Sequence, residues 1–90
     1  MGIQNIPSYN ATSTNASALV KTGQGVCGGI VVSSSTAGTV KLWDNTAASG
    51  TVLVDTMSVS AGTSLRFDIA FATGLYVTLG GTATVSVLWV

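Results

Sequence analysis

The sequence predicts an all-β fold, a small antiparallel β-sandwich or jelly roll of about seven strands behind an extended N-terminal arm. Three observations carry that expectation. From Ala18 onward, apolar and polar residues alternate with the period of two that suits a half-buried strand. Glycine-containing turn signals interrupt the alternation at spacings of about 8–12 residues. Nowhere do apolar residues recur at i, i+3, i+4 and i+7 for long enough to build a helix.

Residues 1–17 are read as the arm: they are rich in Asn, Ser and Thr, show neither period, and carry Pro7, which breaks any helix. Within the arm Ile3, Ile6 and Tyr9 recur at three-residue intervals and are candidate anchors on a neighbouring surface. Residues 18–90 form the β-domain. Its expected strands are Ala18–Thr22, Val26–Ser33, Thr39–Asp44, Thr51–Val59, Ser64–Phe71, Leu75–Leu79 and Thr82–Val90. Turns are expected at Gly38, Asn45–Gly50, Ala61–Gly62, Thr73–Gly74 and Gly80–Gly81.

The fifth strand is the clearest, with Leu65, Phe67, Ile69 and Phe71 on one face and Arg66, Asp68 and Ala70 on the other. In the last strand Ala83, Val85, Val87 and Trp89 share a face. Its segment Thr84–Val90 is uncharged, strongly β-prone and free of Pro and Gly, so as an open edge it would template aggregation. It is expected to lie inside its sheet or against another subunit.

Charge is scarce. Three Lys or Arg and three Asp or Glu make up 7% of the 90 residues, against about 25% in an ordinary soluble domain, and they cancel. A surface solvated mainly by hydroxyls, with no net charge to keep copies apart, predicts association with other protein surfaces. Nucleic acid is not an expected partner, because Lys21, Lys41 and Arg66 are scattered and phosphate binding needs clusters. A membrane partner is not expected either, since no apolar run approaches 18 residues and the strands are too few and short for an outer-membrane barrel. The opening Met1–Pro7 lacks the basic and apolar regions of a secretory signal, so the chain is expected to be made in the cytoplasm and not exported by itself.

No catalytic constellation is legible, and the expectation is a protein that is not an enzyme. The chain has no histidine, so acid–base work would fall to Asp44, Asp55 and Asp68, which lie on three different expected strands. Cys27 is the only cysteine; it sits in an apolar run with no histidine to activate it. Gly23-Gln24-Gly25-Val26-Cys27-Gly28 matches the dinucleotide-binding string, yet it leads into the β-run Ile30–Val32 and not into a helix. No metal ligand set and no cofactor is expected. In the strand Thr39–Asp44, Lys41 and Trp43 oppose the face of Val40 and Leu42. Trp43 is therefore a candidate subunit contact, with sugar stacking as the alternative use, and Tyr76 is similar.

The stretches Ser35–Thr46, Gly50–Thr56 and Gly74–Ala83 resemble small β-rich virion structural proteins of tailed bacteriophages, of the capsid decoration, cement or head-fibre type. The similarity runs over about residues 26–90, rests on turn-and-strand patterns, and leaves the first 15 residues outside. It implies many copies per particle, a place on the virion, and no cofactor. The expected partners are the chain itself, as a homo-oligomer such as a trimer, and the major capsid protein. The interface candidates are Ile3, Ile6, Tyr9, Trp43, Arg66 and Tyr76. The alternative function is a small carbohydrate-binding or adhesion module whose partner is a glycan.

Overall fold

The computed structural model describes residues 9–90, and these form a single antiparallel sheet of six strands with no helix. They are β1 (Asn10–Thr14), β2 (Ala18–Thr22), β3 (Gly25–Asp44), β4 (Thr51–Ser58), β5 (Ser64–Phe71) and β6 (Gly74–Trp89). The strands fill four lanes. β3 and β6 are the long central pair; β1 and then β2 run along the free side of β6, while β4 and then β5 run along the free side of β3.

Twenty residues of β3 would span roughly 66 Å if straight, but the longest dimension of the molecule is 42 Å. The long strands must therefore bend. They do so where the β3–β6 ladder loses register, between Val32 and Ser34 and again between Thr36 and Thr39. An irregular ladder bends and twists a strand without ending it. At the bend Gly81 takes a φ of +64°, and a Cβ there would lie 2.2 Å from the carbonyl oxygen of Ala37. Only glycine fits that approach. The expected turns at Gly38 and Gly80–Gly81 are thus irregularities inside continuous strands, and four expected strands merge into two. The mergers reduce seven expected strands to five, and a further strand, β1, within the segment read as an arm brings the count to six.

Bending divides the sheet into two four-stranded halves. The first holds β1, the C-terminal part of β6, the N-terminal part of β3, and β5; the second holds β2, the N-terminal part of β6, the C-terminal part of β3, and β4. The far ends of the halves are joined by short links. Gly23–Gln24 connects β2 to β3 and Ala72–Thr73 connects β5 to β6, and the Gly23 N–H donates to the Thr73 carbonyl at 2.9 Å. The sheet is therefore folded back on itself over one core. That core draws Cys27, Ile30, Val32, Val85, Val87 and Phe71 from the first half and Val40, Leu42, Leu75 and Val77 from the second. Fully burying a Leu or Ile side chain contributes about 1.5–3 kcal/mol, and Ile30, Leu42 and Leu75 are fully buried. Among the described residues no helix is long and apolar enough to cross a membrane.

Candidate interaction surface

Alternation along β3 buries Val40 and Leu42 and turns Lys41 and Trp43 to the outer face of the second half. On β6 the same rule buries Leu75 and Val77 and turns out Tyr76 and Thr78, with Tyr76 directly opposite Trp43. On β2, Leu19 stands opposite Tyr76. On β4 the register moves by one residue on β3 but two on β4, from Leu42 opposite Val54 to Trp43 opposite Val52. The extra residue, Leu53, packs against the core together with Val54, and Val52 emerges beside Trp43. One side chain from each of four strands thus forms a continuous apolar row, Leu19, Tyr76, Trp43 and Val52. Its ends are the open ones, Leu19 at 44% and Val52 at 39% exposure.

Trp43 is fixed within this row. Its indole Nε1 donates to Thr78 Oγ1 at 2.9 Å, so the polar edge of the ring is satisfied inside the sheet. The Lys41 ammonium stands 4.3 Å from the ring centroid and 3.6 Å from Asp55 Oδ1. One ring face is already covered by a cation. The Asp55 carboxyl is held below its ordinary range first by the Thr56 backbone N–H, at 2.7 Å, and then by Lys41.

The outer face of the first half is built differently. Tyr9, just before β1, lays its ring over the backbone of Gly28, where a Cβ would sit 2.6 Å from the ring. Its hydroxyl donates to Asp68 Oδ1 at 2.7 Å, and Arg66 Nε donates to the same oxygen at 3.1 Å. The Arg66 guanidinium carbon is 5.6 Å from the Tyr9 ring centroid. The Tyr9 hydroxyl and then Arg66 hold the Asp68 carboxyl below its ordinary range, while Asp68 pushes the Tyr9 phenol above its own. On the same face Ala11, Ser13 and Ser86 are small, whereas Leu88, opposite Ala11, and Val31, opposite Ser86 and 39% exposed, are apolar.

The sequence-derived interface residues therefore fall into two groups. Trp43 and Tyr76 are adjacent in the second half, whereas Tyr9 and Arg66 meet in the first and bind their own chain. Ile3 and Ile6 lie outside the described residues. Leu19 and Val52 extend the row and were not anticipated, because their place depends on pairing between strands distant in sequence.

The three carboxylates are engaged separately. Asp44, at the end of β3, accepts backbone N–H groups from Ala72, Thr73 and Gly74, the shortest at 2.8 Å from Thr73. Those hydrogen bonds, led by Thr73, lower its carboxyl from the ordinary range. Asp44 thereby clamps the link that joins the far ends of the folded sheet. Cys27 is buried in the core, and burial pushes its thiol up to about 11. Among the described residues there is no pocket and no group of three or more metal-ligating side chains. No family model, curated protein or solved structure matches the chain.

Proposed function

We propose that the chain is a structural, non-catalytic virion protein that decorates or cements the outside of a phage head as a homo-oligomer, its folded-over sheet serving as a small β-sandwich. The observation that carries this reading is the apolar row Leu19, Tyr76, Trp43 and Val52 on a protein with three cations and three carboxylates. A row of half-buried, fixed aromatics with exposed aliphatic ends on a rigid sheet suits a protein-binding surface, because ordering it on contact costs little side-chain entropy. Each carboxylate already serves a local partner, Asp44 a backbone link, Asp55 Lys41, and Asp68 Tyr9 with Arg66. That arrangement supports a scaffold and not a reaction centre.

A cement protein stabilises the shell because a ligand that binds only the assembled lattice shifts the equilibrium toward it. Many copies on a symmetric surface multiply modest contacts into firm attachment. The test mixes the purified protein with heads of the parent phage that lack it and measures occupancy and thermal rupture. Saturable binding with a raised rupture temperature is expected, weakened by Leu19→Ser with Val52→Ser. Absence of binding to heads overturns the reading. Sugar stacking on Trp43 is disfavoured by Lys41, which a sugar ring would have to displace from the covered face; a glycan array that retains the protein through Trp43 would restore the adhesion alternative.

A further inference from the structure

The four lanes leave four strands with an open edge among the described residues, β1 and β2 on one side and β4 and β5 on the other. An open edge is a row of unpaired backbone donors and acceptors, normally protected by charge or by irregularity. Three of the four are protected in both ways. β2 carries Lys21 and a register shift between Leu19 and Lys21. β4 carries Asp55 and two shifts. β5 carries Arg66 and Asp68, with Asp68 at a φ of +52° and a shift in its ladder. β1, Asn10-Ala11-Thr12-Ser13-Thr14, has no charge, no proline and an unbroken register against β6.

We infer that the edge of β1 is a docking site for a second copy of this chain, β1 pairing antiparallel with β1 of its partner about a two-fold axis through Thr12. This rests on the reading of the chain as self-associating and names the surface that does it. The strand is bounded on one side by Tyr9, anchored on Asp68, and on the other by a local turn in which Thr14 Oγ1 contacts the Ala16 carbonyl at 2.7 Å. Only the register centred on Thr12 pairs all five residues. In that register Ala11 faces Ser13 of the partner, Asn10 faces Thr14, and no like charges meet. A two-fold contact of this kind is self-complementary and closed, so it joins copies in pairs and extends the first half into one eight-stranded sheet.

Ala11 and Ser13 are exposed on the outer face, whereas Thr12 accepts from Trp89 Nε1 at 2.9 Å on the other side. Positions 11 and 13 can therefore be changed without touching the Trp89 contact. Ala11→Lys with Ser13→Lys places like charges opposite each other twice across the axis. Ala11→Lys with Ser13→Glu places opposite charges there instead. Sedimentation of the full chain over a concentration series, with circular dichroism to confirm folding, should show a dimer for the parent. Its dissociation constant should rise at least about tenfold in the double lysine variant and return to near the parent value in the lysine–glutamate variant. Amide exchange over residues 10–14 should slow with concentration in the parent and in the charge-paired variant but not in the double lysine variant. A parent that associates identically with both variants overturns the β1 pairing while leaving self-association intact, as does a folded charge-paired variant that stays monomeric. A parent monomeric at every concentration overturns both.

Discussion

The two halves of the sheet share one core and the same two central strands, yet they present opposite outer faces. The first half shows an ion-paired clasp in which Tyr9, Arg66 and Asp68 consume each other's polarity, with Val31 and Leu88 as separate apolar side chains among small ones. The second shows the apolar row with only Lys41 and Asp55 at its flank. Identical backbone requirements therefore leave the outward residue at each alternate position free to vary. The difference also separates the two proposed contacts, a side-chain face in the second half and a backbone edge in the first.

The severest way to break the comparison is to attack what the halves share. Leu42→Ala and Val87→Ala remove fully buried side chains from opposite halves of one cluster. Leu42→Ala should cost about 2–5 kcal/mol, a large part of the roughly 5–13 kcal/mol available to a chain this size. Both variants should still unfold in one thermal transition. Two separated transitions by calorimetry would show that the halves are independent units.

Next in size is the clamp between the far ends. Asp44→Ala removes the acceptor for the Ala72, Thr73 and Gly74 N–H groups and should cost about 1 kcal/mol, since the site is partly exposed and solvent screens it. Asp44→Asn keeps an acceptor and should cost less. Because the folded carboxyl is depressed below its unfolded value of about 3.9, the contribution is fully present above that value and disappears as pH falls through the folded one. Acid titration of stability should therefore steepen below about pH 4 in the parent and flatten in Asp44→Ala. Equal acid sensitivity in both proteins would remove Asp44 from the clamp.

Opening of the fold can be read at Cys27, whose thiol is buried and pushed up to about 11. At pH 8 a thiol reagent should label it at least about a thousandfold more slowly than in denaturant, because reaction must await opening. Leu42→Ala should accelerate labelling more than Asp44→Ala does. Rapid labelling of the native parent would contradict the core described for the first half.

Much of the fold is legible in the sequence. β5 declares itself through Leu65, Phe67, Ile69 and Phe71, and the uncharged Thr84–Val90 stretch is found inside the sheet, between β1 and β3. Gly38 and Gly80–Gly81 mislead because glycine marks a turn and a bent ladder with the same letter, and only the partner strand decides between them. β1 is illegible for another reason: Asn10–Thr14 has no apolar face, and its pairing with β6 joins residues more than seventy positions apart, such as Thr12 and Val87. Alternation alone turns Trp43 and Tyr76 outward. Their union with Leu19 and Val52 requires strand register and the extra residue in β4, which no local pattern encodes.

The smallest expected effect sharpens the comparison at the first half's outer face. The Tyr9 phenol donates to Asp68 and is held above its ordinary value of 10.0 by that carboxylate, so deprotonating it would place two negative charges together beside Arg66. Asp68→Asn removes the negative partner while leaving an amide oxygen to accept the hydrogen bond. The Tyr9 titration, resolved from Tyr76 by ring resonances, should then move down toward its ordinary value while the thermal midpoint changes little. Tyr9→Phe should release the ring from Asp68 yet leave β5 and the core in place, since no buried atom depends on the hydroxyl. If Asp68→Asn leaves the Tyr9 titration where it was, the two side chains do not meet in solution, and the N-terminal boundary of β1 is not set by the clasp. If instead Tyr9→Phe also loosens amide protection across residues 10–14, the clasp holds the β1 edge in place, and the polar face of the first half serves its backbone edge as the apolar row serves the second.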